Sequence, residues 1–184
     1  MAGVGHLYLG RRAAGLAGPT LAAVATGKRI VAALIQRGPR LLLVQAQGPD
    51  DPFPVWMLPG GQVEAYEGLL EALRREVGEE TGLRILGVPQ LIFEVDLDRR
   101  TGGRRGRYRS FTYACDVGGK PNPADPDGLI RGVGWVEAND ALERLGQLDW
   151  YECEPLRRFL AGDADAGSKY RHRITSKGGT LETL

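Results

Sequence analysis

Apolar residues fall in short runs between residues 29 and 160, and their spacing changes from one run to the next. Residues 29–36 and 40–47 are two apolar stretches on either side of Gly38-Pro39, which predicts a β-hairpin. After a loop rich in proline and aspartate, residues 55–58 predict a short strand, and residues 85–98 and 108–117 predict two long ones. In the last of these Phe111, Tyr113, Cys115 and Val117 alternate with Ser110, Thr112, Ala114 and Asp116, the period of two that marks a strand. Leu70, Leu73 and Val77 recur instead at helical spacing, so a helix is predicted from Tyr66 to Thr81, capped by Gly82. Residues 133–136 predict a further strand, and residues 139–145 and 150–160 two more helices.

Strands with helices before and after them predict one layered α/β domain over residues 29–161. Residues 1–28 read as an N-terminal extension of small residues, in which His6 to Leu9 could form a short strand. Residues 162–184 are polar and basic without periodicity and read as a C-terminal tail. No internal repeat is visible.

The 184 residues suffice for one full core, and 42% hydrophobic with 26% charged residues is ordinary for a globular chain. A net charge of +1 argues against a dedicated nucleic-acid or membrane-surface protein. No apolar run approaches the ~18 residues of a membrane span. Cys115 and Cys153 lack metal-ligand spacing and read as small buried residues, which fits a reducing cytoplasm. The segment GRRAAGLAGPTLAAVA mimics an export signal, but Gly15, Gly18 and Pro19 interrupt its apolar part.

The chemistry concentrates on the helix predicted over residues 66–81. Glu76, Glu79 and Glu80 share one face there, with ~6 Å between neighbours. Like charges at that spacing repel. A solvated acidic face is one reading; a hard divalent cation with oxygen ligands would turn the repulsion into attraction. The acidic face alone does not account for Gly61, Glu67, Arg75 and Gly82 around it.

Those residues complete a pattern. Gly61, then Glu67 after five residues, then Arg75-Glu76-Val77-Gly78-Glu79-Glu80-Thr81-Gly82-Leu83 after seven more, resembles the Nudix hydrolase signature with every defined position filled. Trp56 to Gly61 (WMLPGG) resembles the family's strand and turn before that box, and GVGWVEANDALERL its closing strand and short helix.

The resemblance implies an α/β/α sandwich with a mixed β-sheet. It implies that Glu76, Glu79 and Glu80, with the Gly60 carbonyl, bind Mg2+ or Mn2+, and that Arg75 pairs with Glu67 to hold loop and helix in register. Glu79, Glu80 and Arg75 then form the catalytic set of a pyrophosphohydrolase acting on a nucleoside diphosphate linked to another moiety. The metal would polarise phosphorus and acidify the attacking water. A base would take the water's proton, and in this family it is a box glutamate or a carboxylate on the loop before the closing strand. Here that loop offers Asp127 first and Asp125 second, although aspartates in PNPADPDG also read as turn formers.

Two alternatives remain open: a binding or regulatory module without turnover, and an isopentenyl diphosphate isomerase, which would need a cleft cysteine such as Cys115. The expected partner is a small nucleotide-type diphosphate, without membrane or nucleic acid, and the family's habit of association implies a homodimer. The run DRRTGGRRGRYR places six arginines between Arg99 and Arg109, either as a solvated hairpin tip or as an electropositive rim that attracts polyphosphate.

Overall fold

The computed structural model describes residues 27–49, 51–101, 104–146, 153–175 and 178–184. Among these residues ten strands and three helices run in the order β1 (Lys28–Leu34), β2 (Gln36–Arg37), β3 (Arg40–Ala46), β4 (Val55–Met57), β5 (Gly60–Gln62), α1 (Leu69–Thr81), β6 (Arg84–Thr101), β7 (Arg104–Gly118), β8 (Ile130–Glu137), α2 (Ala138–Gly146), α3 (Cys153–Ala161), β9 (Ser168–Thr175) and β10 (Gly178–Thr183). The extension predicted at residues 1–28 lies almost wholly outside the described residues.

β1 lies between β7 and the edge strand β5 in a six-stranded mixed sheet ordered β10-β9-β6-β7-β1-β5. It runs parallel to β7, with Val31 opposite Phe111, and antiparallel to β5, with Val31 opposite Gly61. Its side chains serve two cores, as the alternation of a strand requires. Val31, Ala33 and Ile35 pack with Leu73 and Val77 of α1, while Ala32 and Leu34 pack with Leu145 of α2 and Leu156 of α3. Helices thus cover both faces, the expected α/β/α arrangement. The hairpin at Gly38-Pro39 joins β2 to β3, and β3 carries a second sheet with β4 and β8.

Three sequence expectations fail. The hairpin predicted between residues 29–36 and 40–47 forms only at its tip, β2 with β3, because Lys28–Leu34 pairs with β5 and β7 in the other sheet. The helix predicted from Tyr66 starts at Leu69, because Tyr66 adopts a left-handed φ of 66° and Gly68 is the N-cap. The Glu71 carboxylate accepts the Gly68 N–H at 2.8 Å and fixes the start there. The supposed tail of residues 162–184 is a β-hairpin instead. β9 joins β6 in parallel, Val95 opposite Tyr170, and β10 returns along its outer edge. Tyr170 is buried and meets Phe93 edge-on, ring centres 6.3 Å apart, a contact that contributes about 2–3 kcal/mol of burial and anchors β9.

Candidate active site

The site begins at the turn into β5. The Ala33 N–H donates to the Pro59 carbonyl at 2.8 Å, which ties the turn to β1. Gly60 follows with φ 154°, and a Cβ there would fall on the Val31 carbonyl oxygen. At Gly61 a Cβ would lie 2.5 Å from Glu76 Oε1, so the Glu76 carboxylate rests directly on bare backbone. The Gly60 N–H donates to Glu80 Oε2 at 2.8 Å. One glycine pair therefore places two carboxylates, and no larger residue could.

α1 carries the rest. Leu73 and Val77 face the sheet and are fully buried, which turns Glu76, Glu79 and Glu80 toward the edge of the stripe. Arg75 is the hub. It donates from Nε to Glu67 Oε1 and from Nη2 to Glu67 Oε2, each at 2.9 Å, from Nη1 to Glu76 Oε1 at 2.8 Å, and from Nη2 to the Gln62 carbonyl at 3.2 Å. A longer contact of 3.4 Å reaches Glu79 Oε2. Glu67 Oε2 also accepts the Glu64 N–H at 3.0 Å, which closes the loop before the helix. The implied Arg75–Glu67 pair is present; the roles of the Gln62 carbonyl and the Glu64 N–H are backbone roles that no side-chain pattern announces.

Charge is crowded here. Burial lifts the Glu80 carboxyl well above the ordinary carboxylate range; the Gly60 N–H opposes this, and the charges of Glu76, Asp125 and Glu79 add to it. Burial likewise raises Glu76, against the pull of Arg75. The hydrogen bond from Arg75 holds Glu67 below the ordinary range. Among the described residues no three His, Cys, Asp or Glu side chains form a ready-made cation cage, because Glu76 and Glu79 lean on Arg75 while Glu80 leans on Gly60.

The loop after β7 crosses the end of α1. Gly82 takes the left-handed cap conformation at φ 72°, and its N–H donates to the Gly78 carbonyl at 2.9 Å. The Asn122 and Ala124 N–H groups then donate to the Thr81 and Glu79 carbonyls, both at 2.9 Å. Asp125 points inward: it accepts the N–H groups of Leu129, of Ile130 at 2.9 Å and of Asp127 at 3.1 Å, and its charge is felt by Glu80. Asp127 is exposed, joined to Asp125 only through its backbone. The loop thus brings Asp125, not Asp127, to the carboxylates. Cys115 lies in the core beneath α1, its thiol pushed up to about 12 by burial and directed to the Tyr113 carbonyl, so the cleft thiol of an isomerase is not there.

The model of the NUDIX domain matches residues 26–158. The chain belongs to the NUDIX domain family. It is accordingly a Nudix-type pyrophosphohydrolase. A Mycobacterium tuberculosis relative named for 8-oxo-dGTP diphosphatase activity is 32% identical over 143 residues, 73% of this chain and 92% of that one. An m7GpppN-mRNA hydrolase of Xenopus laevis is 49% identical over 92 residues, which are 45% of this chain and 30% of that one. Among solved structures, the mutator MutT protein of Bacillus halodurans superposes with a TM-score of 0.62 at 22% identity, covering 84% of this chain and 97% of its own. A MutT protein of Methanosarcina mazei Go1 gives 0.57 at 25% identity over 74% and 94%. No helix among the described residues is long and apolar enough to cross a membrane.

Proposed function

We propose that this Nudix hydrolase is metal-dependent and cleaves the diphosphate bond of a nucleoside diphosphate linked to another group. The observation that supports it best is the Arg75 hub, which gathers Glu67, Glu76 and Glu79 beside a buried Glu80. Four crowded carboxylates, two of them (Glu76 and Glu80) lifted by burial, form an all-oxygen donor set that fits a hard divalent cation. Glu76, Glu79 and Glu80 would hold it, with the Gly60 backbone beside them. Bound there, Mg2+ or Mn2+ would neutralise phosphate oxygens and acidify a coordinated water. Glu76 and Glu79 are long side chains that can swing from Arg75 while the Glu67 clamp keeps Arg75 in place.

The proton of the attacking water goes to a carboxylate of this chain. Glu79 suits that role, since at 30% exposure it is the most accessible of the Arg75 partners and is held by the single 3.4 Å contact. Asp125 is committed to three backbone N–H groups, which makes it a positioning residue for the loop beside Glu80.

A panel of nucleoside diphosphate derivatives with Mg2+, scored by the identity of both products, tests the reading. Cleavage between the two phosphates is expected, with turnover lowered about a hundredfold or more in Glu79→Gln and Glu80→Gln. Undiminished turnover in both variants, or full activity in chelator, would overturn it.

A further inference from the structure

A second charged surface lies on the α1 side of the six-stranded sheet, beyond the end of the helix. β7 carries Phe111 in the core beneath α1, so the strand's alternation puts Arg109 and Arg107 on the same face, further along. Register extends that face sideways. Asp96 of β6 stands between Arg109 of β7 and Arg171 of β9, and Asp98 between Arg107 and Arg173. Arg29 of β1 stands beside Arg109 and completes the first row. The rows are about 7 Å apart and span about 14 Å across four strands.

These side chains line a groove of about 660 Å³, within the range of small-molecule sites. Five arginines against two aspartates leave it three charges positive, in a chain whose whole net charge is +1. Asp96 pairs with Arg109 at 2.8 Å, whereas among the described residues no carboxylate forms an ion pair with Arg107, Arg171 or Arg173. The next row toward α1 is closed by the Lys169–Glu94 pair at 3.4 Å. At the far row Gly27 packs against Arg107, where a Cβ would meet the Arg107 carbonyl at 2.7 Å.

We propose that this groove binds an oligophosphate anion, at a site separate from the box carboxylates. Guanidinium forks match phosphate oxygens two at a time, and arginines on paired strands are held apart by the sheet with little ordering left to do. A triphosphate chain, with about four negative charges near neutrality, would more than balance the groove and can reach both rows. Arg171 and Arg173 come from β9, beyond residues 26–158 that match the NUDIX domain, whereas Arg29, Arg107 and Arg109 lie within them. Among the described arginines of the groove, Arg29 alone hydrogen-bonds to the box, at 3.3 Å to the Glu67 carbonyl.

Calorimetric titration of the full chain with tripolyphosphate, in chelator so that no metal bridges it to the carboxylates, tests the site. One saturable event is expected, weakened by salt. Replacing Arg171 and Arg173 together by Ser should weaken it about tenfold or more, and Arg107→Ser, on a different strand, should weaken it in the same direction. Glu80→Gln should leave it intact, which separates this result from the fate of the proposed catalytic reading. Retained affinity in the arginine variants, or no binding by the parent protein, would refute the site. So would a single-stranded oligonucleotide bound about tenfold tighter than tripolyphosphate, which would make the groove a nucleic-acid surface.

Discussion

Arg75 and Glu67 meet fork to fork, two parallel hydrogen bonds of 2.9 Å between a guanidinium and a carboxylate that are both mostly shielded from water. Eight residues separate them, across the loop that leads into α1. The pair is therefore the clasp between loop and helix, and losing it should affect stability and turnover together. Arg75→Ala is expected to cost about 2 kcal/mol, near 6 °C of melting temperature, because Glu67 and Glu76 lose their partner in a half-buried site. Lys in its place should restore little, since it lacks the fork. The same pair sets an acid limit. The folded Glu67 pKa lies below its ordinary value of 4.5, so its contribution is complete above that value and disappears as pH falls through the folded one. The gap in melting temperature between the parent and Glu67→Gln should be full at neutrality and close in acid; a gap independent of pH would contradict the assignment.

Gly60 and Gly61 should fail in different ways. Alanine at Gly60 drives a methyl into the Val31 backbone and should abolish soluble folded protein. Alanine at Gly61 meets only the Glu76 carboxylate, 2.5 Å away, which can move. Gly61→Ala should fold, melt within a few degrees of the parent and lose most of its turnover. Circular dichroism beside a rate assay distinguishes the two.

Gly78 lies inside α1 with nothing within 4 Å of a built Cβ. Gly78→Ala should therefore stabilise the protein by about 0.5–1 kcal/mol through helix propensity alone. A lower melting temperature would mean that the open space beside Gly78 has another use.

In the loop after β7, Asp127→Asn should leave kcat within about twofold at every pH, since that side chain reaches no box residue. Asp125→Asn should lower stability, because a neutral amide replaces a carboxylate that accepts three backbone N–H groups. A large loss of kcat in Asp127→Asn would restore Asp127 as the base.

The sequence made the box legible because its contacts belong to side chains: Arg75 pairs with Glu67 as the resemblance implied. The strands were readable wherever apolar alternation was strong, as at Phe111 to Val117. What escaped depends on backbone conformation or on distance along the chain. A left-handed Tyr66 delays the helix, and nothing in the residue type asks for it. The inward turn of Asp125 over Asp127 is decided by which carboxylate meets the Leu129 and Ile130 N–H groups. β9 did leave a trace, since Tyr170, His172 and Ile174 alternate with Arg171 and Arg173, but four basic residues in the stretch masked the period of two.

That strand also governs when the sheet can close. β6 is 18 residues long, and its outer edge is covered only by β9, whose first register partner, Phe93 with Ser168, spans most of the second half of the chain. During synthesis the edge of β6 stays open until Tyr170 and its neighbours have emerged, long after the box helix can form. A nascent chain stopped before β9 would hold every box carboxylate and still present a bare strand edge to its neighbours, so aggregation is the hazard of truncation.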